Sequence, residues 1–191
     1  MWRRTTFLGV PCLKSVSDMW NYQEILTELQ PSLIVEFGTY MGGSALYFAE
    51  IARRVVLTVD IDHNHVHHSV RNHPLIKLLQ QDTTSPAVAE RIVQLRAEHP
   101  GRAFFIADSD HHKQHVLSEL LQLRSVTKYG DYVVVEDGIV NGHPVLPGWG
   151  PGPYEALQEY QTRYPGDYQT DKEREQKFGF TFAPKGFLIR R

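Results

Sequence analysis

The sequence predicts a doubly wound α/β fold, in which helices cover both faces of a mostly parallel sheet. Apolar runs alternate with amphipathic stretches through the first three quarters of the chain, as they do in successive β/α units. These runs are apolar along their whole length, which is typical of parallel strands buried on both faces. Two more apolar segments flank Pro184-Lys185-Gly186, and this pattern predicts an antiparallel hairpin that closes the sheet.

The predicted elements follow one another without an obvious repeat or linker. Ser17 or Asp18 is expected to cap a first helix that ends near Leu29, before a proline. Ser85 and Pro86 are typical of an N-cap followed by the first helical position. Five strands are expected at residues 33–37, 55–61, 75–79, 103–107 and 132–136. Further helices are expected at residues 44–54, 85–99 and 116–126, and the hairpin strands at 178–183 and 187–191.

The composition limits the class of protein. The chain has 191 residues, a formal net charge of -2 and 41% hydrophobic residues, which fits one domain over residues 1–191. The near-neutral charge predicts no nucleic-acid partner. No apolar run reaches the roughly 20 residues that span a bilayer, and the N-terminus resembles no signal peptide, so we expect a cytoplasmic protein without a membrane partner. The single Cys12 excludes an internal disulfide and a cysteine-based zinc site.

Acidic residues follow every one of the predicted parallel strands. In doubly wound folds, ligands bind beyond the carboxyl ends of the strands. The candidate site residues by this rule are Glu36, Asp60, Asp82, Asp108, Asp110, Glu136 and Asp137. So many carboxylates disfavour a site for a phosphate group.

The turn EFGTYMGGSA (36–45) links the first strand to its helix. Its glycines do not have the GxGxxG spacing, and the chain has no GKS or GKT sequence, which excludes a P-loop. Glu36 can accept from an ammonium group, the helix N-terminus can bind a carboxylate, and Asp60 is placed for a ribose diol. This combination favours S-adenosylmethionine over NAD. In the alternative interpretation, the glycines serve only the packing of a tight turn.

Asp110 follows the fourth strand, and the adjacent acids Glu136 and Asp137 follow the fifth. Neighbouring strand ends would bring the three carboxylates together, and their repulsion requires a counter-charge. Oxygen ligands without cysteine suit a hard cation such as Mg²⁺. The alternative is an N-cap at Asp110 and an exposed turn at the acid pair.

Several motifs resemble the cephalosporin hydroxylase family, which includes rhamnosyl O-methyltransferases. They are VEFGTYMGGSALYFA, DSDHHKQHV, VVVEDGIVNGHPV, GPGPYEAL and FAPKGFL. The resemblance implies a Rossmann-like class I methyltransferase fold with a seven-stranded sheet and a C-terminal antiparallel hairpin. It also implies a homo-oligomer that uses S-adenosylmethionine and Mg²⁺ to methylate a hydroxyl of a small sugar or secondary metabolite. A hydroxylase, as the family name suggests, and a non-catalytic S-adenosylmethionine-binding partner protein remain alternatives.

Carried over residue by residue, the resemblance places the metal on Asp110, Glu136 and Asp137. The cofactor residues that we expect are Glu36, Gly38, Thr39, Tyr40, Ser44, Asp60, Gln81, Asp82 and Asp108. EFGTYMGGSA and DHHK are also similar to segments of catechol O-methyltransferase, and this short likeness implies that Lys113 is the general base. His111, His112 and His143 are competing candidates.

Two other segments have open interpretations. The histidine-rich tract DHNHVHHSVRNH (62–73) has the residues of a transition-metal site, but we expect a solvated helix face. The segment GHPVLPGWGPGP (142–153) is too rich in glycine and proline for regular structure, so it forms either a substrate loop or a subunit contact. Residues 1–30 are expected to form an N-terminal lid or helix.

Overall fold

The computed structural model describes residues 4–191. Two short antiparallel strands, β1 (Thr6–Phe7) and β2 (Val10–Pro11), precede helix α1 (Val16–Leu29). Of the lid or helix that the sequence predicts over residues 1–30, residues 1–3 lie outside the described residues.

A seven-stranded sheet follows these first elements. Its parallel strands are β3 (Leu33–Phe37), β4 (Val55–Asp60), β5 (Ile76–Gln80), β6 (Ala103–Ala107) and β7 (Tyr132–Val135). The helices that connect them are α2 (Gly43–Ala52), α3 (His68–Arg71), α4 (Pro86–Glu98) and α5 (Lys113–Val126). The remaining elements are α6 (Pro153–Arg163), β8 (Tyr168–Thr170), α7 (Lys172–Gln176) and β9 (Phe187–Arg190). The strand order is β5-β4-β3-β6-β7-β9-β8, and β9 runs antiparallel to both of its neighbours, β7 and β8. The predicted fold class is confirmed.

The central strands are buried on both faces, as their apolar composition predicts. Leu33, Val35 and Phe37 of β3 pack into one apolar cluster with side chains from α4, α5 and α6. Ile34 points to the other face, where its cluster includes α1 and α2. Each fully buried side chain of this kind contributes roughly 1.5–3 kcal/mol to folding. The two clusters therefore hold the strand ends of β3 and β6 on a rigid base.

The first helix is capped by Ser15, so the prediction of Ser17 or Asp18 was wrong. The Ser15 hydroxyl accepts from the Asp18 backbone N–H, which satisfies one of the donors left free at a helix start. The Asp18 carboxylate is buried and accepts instead from the backbone N–H of Phe182 at 2.7 Å. Asp18 thus joins α1 to a segment 164 residues away.

The C-terminal antiparallel pair is present, but its first strand is not at 178–183. β9 pairs with β8, in the register Tyr168↔Arg190, and also with β7. The alternating phenylalanines of 178–183 suggested a strand, yet Phe178 and Phe180 are exposed and the Phe182 N–H bonds to Asp18. The N–H groups of Phe182 and Ala183 bond to the side chains of Asp18 and Thr181 rather than to a neighbouring strand, and this part of the chain forms a loop.

The histidine-rich tract is largely non-helical. Only His68–Arg71 forms a short helix, with the His67 ring accepting from the Ser69 N–H as its cap. His63 is buried beside the turn after β3, so His63 and His67 do not share a helix face. Within residues 4–191, no helix combines the length and apolar character needed to cross a membrane.

Candidate active site

A cavity of about 770 Å³ lies over the carboxyl ends of the parallel strands. It is centred where β3 neighbours β4 on one side and β6 on the other, the point at which the chain changes direction across the sheet. Ten of the residues predicted for the site line it: Gly38, Thr39, Tyr40, Ser44, Asp60, Asp82, Asp108, Asp110, His111 and Asp137. Six others do not: Glu36, Gln81, His112, Lys113, Glu136 and His143.

Two glycines of the turn after β3 are required by close backbone contacts. Gly38 has a φ of +96°, and a Cβ there would lie 2.0 Å from the backbone oxygen of Asp108. A Cβ on Gly43 would lie 2.2 Å from the backbone oxygen of Pro11. The glycines therefore serve packing, and that packing brings β6 and the N-terminal segment to the cavity wall.

Asp60 orders this turn. Its Oδ2 accepts the backbone N–H groups of Thr39 at 2.8 Å and of Tyr40 at 3.0 Å, and its Oδ1 accepts from Asp62 N at 3.2 Å. Each carboxylate oxygen has a second lone pair. The carboxylate at the end of β4 thus fixes the backbone while it faces the cavity.

Glu36 lies beneath the cavity and is fully buried. The Thr58 hydroxyl donates to Glu36 Oε2 at 2.7 Å, while Oε1 has no hydrogen-bond partner within the described chain. Burial raises the pKa of Glu36 to about 7, although the charge of Lys14 and hydrogen bonds from Ser44 and Thr58 oppose the shift. The orphaned oxygen is an acceptor available to a cationic group.

The adjacent acids Glu136 and Asp137 face different partners. Asp137 has a φ of +53°, a conformation that aspartate tolerates better than most residues. Glu136 accepts from the Tyr22 hydroxyl at 2.7 Å and pairs with Lys14 at 3.1 Å. Asp137 lines the cavity, and its Oδ2 lies 3.1 Å from His111 Nε2. The sharp turn thus gives the two carboxylates different partners, the Lys14 ammonium for Glu136 and the His111 ring for Asp137.

Burial raises the pKa of both acids. The pKa of Asp137 rises to about 6, first because of burial and second because of the charge of Asp108. The pKa of Glu136 is also raised, mainly by burial, although Lys14 opposes the shift. Both carboxylates are therefore short of cationic partners.

Lys14 is a site residue that the sequence did not reveal. Its side chain is 2% exposed, and its ammonium pairs with both Asp108 and Glu136. Although burial acts to lower it, the charges of these two carboxylates raise the pKa of Lys14. Asp108 is 94 positions away in the chain, and no local spacing indicates this contact.

The structure brings together a different cluster from the predicted metal ligands. Ligand atoms of Asp108, His111 and Asp137 lie within 4.8 Å of one another. Asp110 lines the cavity, but its Oδ1 accepts from His112 N at 2.7 Å and contacts His112 Nδ1 at 2.6 Å. Although partial burial opposes the shift, these bonds lower the pKa of Asp110. Asp110 therefore closes a local turn at the edge of the cavity; the N-cap of α5 is His112, so the alternative interpretation of Asp110 as an N-cap was wrong.

The four candidate bases lie in different surroundings. His112 is exposed, and its Nδ1 lies 2.6 Å from Asp110 Oδ1. Lys113 Nζ pairs with Glu159 at 2.7 Å, outside the cavity. His143 Nε2 lies 3.0 Å from Glu155 Oε1, and it stacks on Tyr154. Only His111 both lines the cavity and contacts a carboxylate of the cluster.

A second polar cluster also lines the cavity and was missed. His115 Nε2 lies 2.9 Å from the Thr83 hydroxyl and 3.2 Å from the Ser109 hydroxyl. Both hydroxyls donate to the buried Glu119 carboxylate. A hydrogen bond between Glu119 and His115 raises the pKa of His115. The i,i+4 spacing of His115 and Glu119 on α5 was the available signal.

The glycine- and proline-rich loop is anchored by Glu155. Its Oε1 accepts from Asn141 Nδ2 at 2.9 Å and lies 3.0 Å from His143, and its Oε2 accepts from Gly152 N at 2.7 Å. Although burial opposes the shift, the Gly152 N–H, His143 and Asn141 lower the pKa of Glu155 to about 2. The two ends of the loop are thereby tied to the start of α6.

A family model described as "Rhamnosyl O-methyltransferase/CmcI" matches residues 1–191 of this chain. A rhamnosyl O-methyltransferase of Mycobacterium tuberculosis (strain ATCC 25618 / H37Rv) is 55% identical, over 100% of this chain and 80% of that protein. One from Mycobacterium leprae (strain TN) is 53% identical, over 100% of this chain and 85% of that protein.

Solved structures of CmcI have a similar fold. An apo structure has a TM-score of 0.78 and 22% identity, over 98% of this chain and 76% of that one. A structure described as containing Mg and SAM has a TM-score of 0.75 and 21% identity, over 99% of this chain and 77% of that one.

Proposed function

The chain belongs to the rhamnosyl O-methyltransferase/CmcI family, and on that premise we propose that it is an S-adenosylmethionine-dependent, Mg²⁺-using O-methyltransferase. Its acceptor is proposed to be a hydroxyl of a sugar or secondary metabolite. The observation that carries the proposal is the sign of the charge around the cavity. Six acids line it, against one lysine and no arginine among the described residues: Asp60, Asp62, Asp82, Asp108, Asp110 and Asp137. Such a wall suits a sulfonium, an ammonium and a metal ion, and it disfavours a nucleotide phosphate.

The residues beyond β3 and β4 fit S-adenosylmethionine. The start of α2 at Gly43 and Ser44 offers backbone N–H groups to a carboxylate. The unpartnered oxygen of buried Glu36 supplies negative charge beneath the same turn. We assign the ribose to Asp60 and the adenine end to Asp82, both of which line the cavity. Gln81 is exposed and is the weakest of the predicted cofactor residues.

The donor set beyond β6 and β7 fits a hard divalent cation. Mg²⁺ prefers oxygen ligands, and Asp108 and Asp137 bring oxygens to one point. We assign the metal to Asp110, Glu136 and Asp137 from the sequence, with Asp108 added from the structure. The imidazole of His111 is the donor least suited to Mg²⁺, which leaves it free for proton transfer.

When bound, S-adenosylmethionine would supply an electrophilic methyl group, and Mg²⁺ would supply a positive charge that lowers the pKa of the acceptor hydroxyl. His111 is the base that we propose, in place of Lys113. If its Nε2–H donates to Asp137, the tautomer is fixed and Nδ1 is the basic nitrogen. Asp137 then also stabilises the imidazolium that forms when Nδ1 takes the proton.

The loop anchored by Glu155 is proposed to form part of the acceptor site. It leaves directly from the acid pair, so its position fits a hydroxyl delivered towards Asp137. Trp149 of this loop is exposed and stacks with His112. An exposed aromatic ring on this loop suits the apolar face of a sugar.

The test is calorimetric titration of the full chain with S-adenosylmethionine, with and without Mg²⁺, followed by methyl transfer to rhamnosides. We expect binding of S-adenosylmethionine, and transfer that stops in excess EDTA and resumes on addition of Mg²⁺. The Asp137→Asn variant is expected to retain S-adenosylmethionine binding and to lose transfer. Full activity in EDTA would remove the metal from the proposal, and absence of S-adenosylmethionine binding would overturn it altogether.

The hydroxylase alternative has less support. Non-haem iron oxygenases use two histidines and one carboxylate. The one three-residue cluster of metal-ligand type within residues 4–191 has a single histidine and two carboxylates. A non-catalytic binding partner has no evident use for this cluster, and His111→Ala kinetics with an acceptor would distinguish that alternative from an enzyme.

A further inference from the structure

Lys14 is the one lysine or arginine of the described chain that lines the cavity. It lies on the short segment between β2 and α1, which Gly43 admits to the cavity wall. Its ammonium contacts Asp108 Oδ2 and lies 3.1 Å from Glu136 Oε1. Both partners belong to the carboxylates that we assign to the metal. Lys14 therefore already places one positive charge inside the proposed metal site.

The effect of the Lys14 ammonium follows from the formal charges of the carboxylates around it. Asp108, Asp110, Glu136 and Asp137 carry four formal negative charges, and Lys14 reduces their sum to -3, closer to the charge that one divalent cation balances. Without Lys14, the buried Glu136 would keep only the neutral Tyr22 hydroxyl as its contact at Oε1. A buried carboxylate that loses its cation is strongly destabilising. A positive charge next to a metal site also repels the metal.

We propose that Lys14 is a positioning residue that acts as an internal cation of the metal site. It holds Asp108 and Glu136 in place before the metal binds, and it limits the affinity of the site for divalent cations. This inference rests on the proposed function, because it assumes that a metal binds at these carboxylates. It predicts opposite effects of removing the charge: lower stability without metal, and tighter binding of metal.

The experiment measures metal binding and thermal stability in the full chain, without any acceptor. Lys14→Met removes the charge and keeps the length of the side chain, and Lys14→Arg keeps the charge. Mn²⁺ binding at pH 8 is followed by electron paramagnetic resonance, with Mg²⁺ competition, and Tm is measured with and without Mn²⁺. Lys14→Met is expected to bind Mn²⁺ at least 10-fold more tightly than wild type. A unit positive charge that contacts the ligands of a cation lowers the affinity for that cation by roughly an order of magnitude or more. Its Tm without metal is expected to fall, and its rise in Tm on adding metal to exceed that of wild type.

The controls separate charge from packing. Lys14→Arg is expected to stay within about threefold of wild type in Mn²⁺ affinity, a difference well below 1.4 kcal/mol. If Lys14→Met does not fold, Lys14→Gln provides a neutral side chain that still forms hydrogen bonds. A lower Tm with unchanged or weaker Mn²⁺ binding would mean that Lys14 only packs, and would overturn the proposal. If wild type binds no Mn²⁺, the metal assignment under the proposed function fails, and this inference fails with it. If wild type binds Mn²⁺ and the variants match it, only the inference fails.

Discussion

The two halves of the cavity are built in different ways. On the side of β3 and β4, the wall is the turn at 36–45. The backbone N–H groups of Thr39 and Tyr40 in this turn bond to Asp60, which belongs to the same β/α/β unit. On the side of β6 and β7, the wall is assembled from side chains of Lys14, Asp108, His111 and Glu136-Asp137. The first half depends on local backbone geometry, and the second on long-range charge balance. Variants should therefore damage the first through strain and the second through electrostatics or chemistry.

The largest effect is expected where the two halves touch, at Gly38. Gly38→Ala would place a Cβ 2.0 Å from the backbone oxygen of Asp108, at a φ of +96°. We expect a loss of at least about 3 kcal/mol in the free energy of unfolding, from overpacking and backbone strain together. Chemical denaturation measures it. The matched control is Gly148→Ala, where φ is +89° and a Cβ would contact nothing within 4 Å, so only about 1 kcal/mol of strain is expected. Equal losses in the two variants would contradict the close contact of β3 with β6.

A large effect on the rate, with little on stability, is expected at His111. Removing a general base lowers kcat by about 10²–10⁴-fold, so His111→Ala should do so with an acceptor at saturation. Lys113→Ala and His143→Ala are matched controls, because these side chains pair with Glu159 and Glu155 outside the cavity. They are expected to keep kcat within about threefold, well below the range for a lost base. A larger fall for Lys113→Ala would return the base to the residue that the catechol O-methyltransferase likeness implies.

An intermediate effect, which depends on pH, is expected at Glu36. Burial raises its pKa from 4.5 to about 7, so the folded state binds the proton more tightly than the unfolded state does. The stability of wild type should therefore fall as pH rises from about 4.5 to 7, and this contribution should be constant above that range. Glu36→Gln removes the dependence, and its stability relative to wild type should be about 2–3 kcal/mol better at pH 8 than at pH 4.5.

Urea denaturation at the two pH values measures this difference, with the surface variant Glu90→Gln as the control. A pH dependence in Glu36→Gln equal to that of wild type would show that Glu36 does not titrate in this window. The variant is also expected to bind S-adenosylmethionine more weakly, since it lacks the negative charge beneath the turn.

The smallest effect is expected at Glu155, which ties the loop of the second half to α6. Glu155→Gln keeps the shape and removes the charge that Asn141, His143 and the Gly152 N–H share. We expect KM for the acceptor to rise several-fold with kcat nearly unchanged, and a loss of about 1 kcal/mol in stability. Steady-state kinetics separates the two constants. Glu159→Gln, one turn along the same helix, is the control, and an equal rise in KM there would remove Glu155 from the acceptor site.

The same contrast explains what the sequence could predict. The five parallel strands lie within two residues of their predicted bounds, because apolar runs and glycine turns are local signals. The turn at 36–45 and Asp60 were predicted for the same reason. The prediction of a hairpin strand at 178–183 was wrong because the alternating aromatics carry no signal that the Phe182 N–H bonds to the distant Asp18.

The second half could be predicted only as a set of acids at strand ends. Whether Asp108 or Asp110 joins Asp137 depends on how the chain turns after β6, and the His112 backbone N–H decides it by bonding to Asp110. Lys14 gave no signal, because a lysine in a short connecting segment is usually solvated. Its partners are 94 and 122 positions away, so only the folded chain identifies it.

The link between Asp18 and Phe182 has a consequence for the order of events on the ribosome. The two residues are 164 positions apart, so α1 cannot acquire this bond until nearly all of the chain described here has been synthesised. At roughly 5–20 residues per second, the delay lasts on the order of ten seconds or more. During that interval the Tyr22 hydroxyl and the Lys14 ammonium also wait for Glu136. The first helix is thus synthesised early, and its buried polar contacts form late.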